Sequence, residues 1–296
     1  MSGFIYRSSE QRRVLRLFRD LIRARELLRD LVSKDLRVRY RYAVMGFLWA
    51  VIEPLALMLV LTFIFDILLS TRLPEGAGAT AGTETPYAVR LLCGLIFWQF
   101  TASSITSATQ SLIDNQNLVK KVNFTREVIP IAATGYPLVN LAIGFVLLLT
   151  VHLLLGGGLG IGLLWLPFIF GIHYAIVLGF ALLLSCGNVH YRDVGYITGV
   201  AMVFGFYASP VFYELSFVLN PASVPEWAEP WYPWMVKLYL LNPMAGLLTA
   251  YRQVIVLGES SPTLWLLVWP SILGVLALLA GVWTFRRVAP TLSDHL

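Results

Sequence analysis

Residues 36–55, LRVRYRYAVMGFLWAVIEPL, contain an abrupt change of solvent. Arg37, Arg39 and Arg41 alternate with Val38, Tyr40 and Tyr42, and from Ala43 an apolar run continues with no further basic residue until Arg72. A run apolar on every side and longer than the roughly 20 residues of a bilayer core reads as a membrane span. A basic collar at its start marks a membrane surface and places that surface on the cytoplasmic side.

The rest of the composition agrees with lipid as the solvent. The chain is 57% hydrophobic and 13% charged, against about 25% charged in soluble domains. Residues 1–42 carry 12 of the 22 basic and 5 of the 17 acidic residues, a net of +7, which leaves −2 for the remainder. A basic start on an otherwise near-neutral chain points to anionic lipid headgroups; nucleic acid is excluded as a partner because no soluble basic domain exists to hold it. Cys93 and Cys186 lie in apolar runs and read as small buried hydrophobes without a disulfide or metal framework. More than forty residues precede the first apolar run, so a cleaved signal peptide is not expected.

The chain divides into a cytoplasmic amphipathic interface segment, 1–42, and a transmembrane domain, 43–296. Across 11–36, Val14, Phe18, Leu21, Leu28 and Val32 recur at helical spacing, with Arg12, Arg16, Arg19, Arg23 and Arg29 at other positions. Such a helix lies in the membrane interface or docks on a partner protein. Six spans follow, at about 43–70, 89–113, 129–155, 163–188, 196–217 and 264–285. Basic residues collect in the N-terminal segment, the second and fourth connections and the tail, which places both termini in the cytoplasm. GGGLGIG at 156–162 is an uncharged tight hairpin.

The fifth connection, 214–262, is too apolar for a free aqueous loop. Its apolar pieces, broken by Pro230, Pro233 and Pro243, are too short to span. Trp227, Trp231 and Trp234 suit short interfacial or re-entrant helices on the external face. Asn242 with Pro243 predicts a capped helix start. The fold expected is therefore all-α and polytopic, with short external gate helices between the last two spans.

Chemistry is sparse. None of Lys34, Lys120, Lys121 and Lys237 follows a glycine, so no phosphate-binding GxxxxGK[ST] motif exists. The histidines are dispersed; His152 and His173 read as packing residues within spans. No catalytic constellation and no metal site are expected. Glu53, deep in the first span, is either a substrate-contacting group or a structural carboxylate. Asp66 and Arg90 lie near external span ends, where Arg90 can snorkel. Phe97, Thr101, Ser104, Ser107 and Ser111 form one helical face that suits either sugar hydroxyls stacked below an aromatic or close helix packing.

Five stretches carry a family likeness. DLRVRYRY from Asp35 with GFLWAVIEP from Gly46, NLVKKVNFTREVIP from Asn117, NVHYRDV from Asn188, SPVFY from Ser209, and LNPMA from Leu241 with Tyr251-Arg252 resemble, in order, permease subunits of bacterial polysaccharide-export ABC transporters. These export O-antigen, teichoic acid or capsule. Phe124-Thr125-Arg126 departs from the Phe-Pro-Arg common in the family.

The resemblance implies a homodimer in the bacterial inner membrane and two copies of a separate ATP-binding subunit, which holds the ATP and Mg that this chain does not. It also implies a lipid-linked glycan as substrate. The segment 114–130 becomes the coupling segment, with Leu118, Lys120, Lys121, Phe124 and Arg126, joined by Arg192 and Asp193 of the fourth connection. Arg37, Arg39 and Arg41 become headgroup contacts. Trp49, Glu53, Phe97, Thr101, Ser104 and Tyr207 are channel-lining candidates, and Trp227, Trp231, Trp234, Asn242 and Pro243 form the external gate. An exporter of drugs or small lipids shares this topology. A membrane-embedded lipid-modifying enzyme would need an acid–base pair or metal ligands at one membrane depth.

Overall fold

The computed structural model describes residues 24–40, 45–68, 86–121, 125–221 and 226–289, all of it helix, turn or irregular chain, with no strand among the described residues. Helix α1 is Arg25–Tyr40. After a 3-10 turn at Gly46–Leu48 comes α2, Trp49–Thr62, which passes into a π-helical turn at Phe63–Leu68. Helices α3 (Tyr87–Asp114), α4 (Gln116–Lys121), α5 (Val128–Ala133) and α6 (Gly135–Leu154) follow. Next are α7 (Leu166–His190) and α8 (Asp193–Ala208), then α9 (Leu215–Leu219), α10 (Tyr232–Leu240), α11 (Pro243–Ile255) and α12 (Trp265–Val288).

By length and composition, four helical stretches reach across a membrane: Tyr87–Asp114, Val128–Leu154, Ile161–His190 and Trp265–Val288. Trp49–Phe65 and Asp193–Ala208 are apolar but shorter. The expected first span at 43–70 starts late because Gly46 sits at φ +48, a left-handed conformation that no right-handed helix passes through. The expected fifth span at 196–217 begins earlier and ends at Ala208, where Ser209 is extended ahead of Pro210. The interface helix runs past 36 to Tyr40, so Arg37 and Arg39 occupy its last turn, where their charge suits the helix dipole. Val14, Phe18, Leu21, Arg41 and Phe124 lie outside the described residues.

Helix α3 is the central post. Val89, Leu91, Leu92 and Cys93 have no exposed surface, and most of the remaining length to Leu112 is buried. Helices α2, α5, α6, α7, α8 and α11 pack against it, and α7 lies against both α3 and α12. At Gly179 an added Cβ would collide with the backbone of Ala277, and at Gly281 it would sit 2.7 Å from the Gly179 carbonyl oxygen. The two backbones meet directly there, which only glycine permits and which gains dispersion energy in a lipid solvent.

A second, smaller core closes one end. It joins Leu31 of α1, Leu112, Val119, Val128, Ile129, Leu182, Cys186 and Phe285. Leu31 is buried, and Leu28 and Val32 are partly so, as the helical spacing of the apolar face requires. This end also gathers Lys34, Lys120, Arg126, Arg192, Arg286 and Arg287 from four separate parts of the chain. It is called the basic end below. At the opposite end the 156–162 hairpin rests on the turn after α11, where an added Cβ on Gly160 would lie 2.7 Å from the Gly258 carbonyl oxygen.

Candidate functional site

At the basic end, α1 and the connection after α3 form one surface. Lys34 Nζ donates to Asn115 Oδ1 at 2.5 Å. Val119 is buried in the shared core, while Leu118 is half-buried and Lys120 exposed. Val119 is therefore spent on the chain's own packing. Arg126 is half-buried; its guanidinium donates to the Ala289 carbonyl at the end of α12. Glu127 is buried and faces Arg286 at 3.5 Å. Arg192 and Asp193 are exposed where α7 turns into α8, a turn held by the Gly195 amide donating to Asn188 Oδ1 at 2.9 Å. Asn188 in turn donates to the Thr109 carbonyl at 3.0 Å, tying the turn to α3. Burial pushes the Asp35 carboxyl up; neighbouring Lys34 opposes that shift and Asp114 adds to it.

The collar is built into the bundle. The Arg39 guanidinium lies 4.6 Å above the centre of the Tyr136 ring. The Tyr40 hydroxyl donates to Asn140 Oδ1 at 2.8 Å. Arg37 is exposed. Below them, α2, α3 and α6 border a small, partly open cavity lined by Glu53, Gln99, Ser103 and Asn140 among apolar neighbours, with Glu53 itself exposed. Trp49, one turn from Glu53, is half exposed.

The predicted hydroxyl face of α3 lies inside the protomer. Phe97 stacks on Tyr251 with ring centres 3.6 Å apart. Thr101 Oγ1 lies 2.7 Å from His173 Nε2 and donates to the Phe97 carbonyl at 3.0 Å. His173 Nδ1 lies 3.3 Å from the Tyr251 hydroxyl. Since Thr101 already donates to the Phe97 carbonyl, a proton on His173 Nε2 with Nδ1 accepting from Tyr251 satisfies all three groups. Phe97, Thr101 and Ser104 are thus enclosed by α7 and α11 and face no open wall. Open aromatic surface lies on α8 instead, at Tyr196, Phe204 and Tyr207. Tyr207 lines an open groove of about 280 Å³ with Trp98, Ala102, Met202, Val203 and Phe206.

The opposite end holds a group that sequence reasoning missed. Arg90 is buried and ion-paired with Glu214 at 2.8 Å. It does not snorkel, because Glu214 folds back over the top of α3. Arg252 is also buried and donates to the carbonyls of Arg90, Tyr213 and Val211. Two arginines in apolar runs were the available signal, since a charge there requires a partner. Asn242 caps α11 as expected, accepting from the Met244 amide at 3.0 Å; its amide group also donates to Ser209 Oγ at 2.9 Å. Pro243 begins the helix. Trp231 and Trp234 are exposed, with Lys237 Nζ 4.8 Å above the Trp234 ring. Trp227 belongs to the 3-10 turn Glu226–Trp231. Among the described residues no cluster of His, Cys, Asp and Glu has the arrangement of a metal site.

Comparison with known proteins adds two findings. The family model described as ABC-2 type transporter matches residues 26–256. The chain is 29% identical over 245 residues to the O-antigen export system permease protein RfbA of Myxococcus xanthus, covering 81% of this chain and 84% of that one. It is 25% identical over 234 residues to the protein of the same name from Klebsiella pneumoniae, covering 79% and 81%.

Proposed function

The chain belongs to the ABC-2 type transporter family, and on that premise we propose that it is the transmembrane subunit of an exporter of a lipid-linked polysaccharide, O-antigen or a similar glycan. It works in the bacterial inner membrane with two copies of a separate ATPase, which bind ATP and Mg. Its relatives named as O-antigen export permeases, similar over most of their length, carry the choice of glycan.

Six crossings place both termini in the cytoplasm, with α2 and its π turn as the first and α8 as the fifth. The permease acts as a homodimer. The ATPase docks on the basic end, against α4, Lys120, Arg192 and Asp193, and Lys121 and Phe124 take part in the same coupling. ATP-driven closure then tilts a surface that shares its core with α1, α5, α7 and α12. Arg37, Arg39 and Arg41 meet the lipid phosphate. The glycan follows open aromatic surface such as Tyr207 and Trp49, and leaves past the tryptophans of the opposite end.

The test is transport in inverted vesicles containing the permease with and without its ATPase. ATP-dependent accumulation of lipid-linked glycan is expected only with both subunits. Transport of a small amphiphilic drug with no glycan movement would overturn the choice of substrate.

A further inference from the structure

The cavity between α2, α3 and α6 combines features that packing does not require. Its lining includes a carboxylate, Glu53, two amides, Gln99 and Asn140, and a hydroxyl, Ser103. All four lie on helices whose surroundings are apolar. Among the described residues nothing hydrogen-bonds the side chains of Glu53, Gln99 or Ser103. Pro54, also in the lining, has no N–H to give to the carbonyl of Ala50, which lines the same space. Unpaired polar groups at one spot in a membrane domain are costly unless something polar fills the space between them.

The position of the cavity narrows what that is. Tyr40, in the basic collar, bonds Asn140 in the cavity lining. The collar marks the membrane surface, so the cavity lies beside the lipid phosphates. Arg39 sits over Tyr136, one turn from Asn140 on the same face of α6. Tyr40 occupies the Asn140 oxygen and so leaves its NH₂ group for the cavity. A cation thus stands above a set of hydroxyl-binding groups. The cavity measures about 20 Å³, room for one water-sized group. It admits single hydroxyls of a ring edge and not a whole sugar.

We propose that this cavity is a headgroup seat. It takes the hydroxyl or amide groups next to the phosphate of a lipid in the leaflet at the basic end, while Arg39 and Arg37 hold the phosphate. Two lipids carry that chemistry: a polyprenyl diphosphate bearing its first sugar, and an ordinary phospholipid. Assigning the former rests on the exporter function proposed above.

The experiment uses the permease with its ATPase in nanodiscs, reading ATPase stimulation. One arm titrates a polyprenyl diphosphate carrying one N-acetylhexosamine. A second titrates the sugar-free diphosphate, and a third exchanges phosphatidylglycerol for phosphatidylethanolamine with neither present. The unmodified protein is expected to respond to the sugar-bearing lipid at the lower concentration. Glu53→Gln and Gln99→Leu should raise its half-maximal concentration about five- to tenfold, the worth of one or two hydrogen bonds. The sugar-free response should not change. Ser103→Ala, which removes one hydroxyl, should give a smaller shift and serves if the others fail to assemble. Sensitivity of the variants in the third arm alone assigns the seat to phospholipid. An unmodified protein insensitive to both diphosphates overturns the exporter function and leaves the seat to be judged by the third arm. Variants that match the unmodified protein in all three arms overturn the seat.

Discussion

Arg252 shows how one side chain organises the end of a membrane protein. Its guanidinium spreads over three carbonyls, that of Arg90 in α3 and those of Val211 and Tyr213 on the chain after α8. Arg252→Ala should cost on the order of 3 kcal/mol, because it strands buried acceptors. Arg252→Lys should recover only part of this, since an ammonium does not reproduce the planar fork. Thermal unfolding in detergent measures both. Asp35 is the opposite case, a group that the fold holds uncomfortably. Burial raises its carboxyl above the ordinary 3.8, so the folded state binds the proton more tightly than the unfolded chain. The stability this confers is complete below about 3.8 and is lost as pH rises through the folded value. Asp35→Asn should therefore raise the unfolding temperature at pH 7 and flatten its fall between acid and neutral pH. Neither residue's role was legible in the chain alone. In the sequence Arg90 reads as a snorkelling charge and Arg252 not as a charge in an apolar run at all; their partners are main-chain carbonyls and a glutamate across a loop, which spacing does not reveal. Asn242 was legible because a cap is local: the acceptor, the proline and the amide it caps lie within three positions.

At the scale of elements, apolar run length located the helices, since a bilayer core sets a length any sequence must supply. The run could not show where φ turns positive, so the start of α2 moved past Gly46. Nor could it tell lipid from protein as the apolar neighbour. The hydroxyl face of α3 was recognisable as a face, yet it meets α7 and α11, and open aromatic surface falls to α8. The contact of α7 with α12 makes a sharper test. Gly179→Ala places a methyl group against the Ala277 backbone, which has no side chain to move aside. Forced separation should cost about 2 kcal/mol, seen as a lower unfolding temperature. Gly171→Ala, on the same helix with open space around it, should leave stability unchanged.

For the molecule as a whole, the basic end works as one piece. Glu127 and Arg286 join the connection after α4 to the end of α12, and Arg126 caps that helix. If the ATPase pushes on this surface, the pair carries the push into α12 and through the glycine contact into α7. Glu127→Gln and Arg286→Gln should each cost about 1 kcal/mol. The double variant should cost less than their sum. All three should lower glycan moved per ATP hydrolysed more than ATPase rate itself; a purely structural pair would lower both together.

The junction of α7 with α12 also bears on how the protein is made. Helix α12 leaves the ribosome well after α7, and until it arrives the backbone of Gly179 lacks the Ala277 backbone it packs against. The bundle is thus incomplete until α12 has been made. A nascent chain arrested before residue 265 exposes an unfinished groove, the kind of surface that membrane quality-control proteases sample. Helix α12 thus acts as a proofreading mark of synthesis as well as a wall of the transporter.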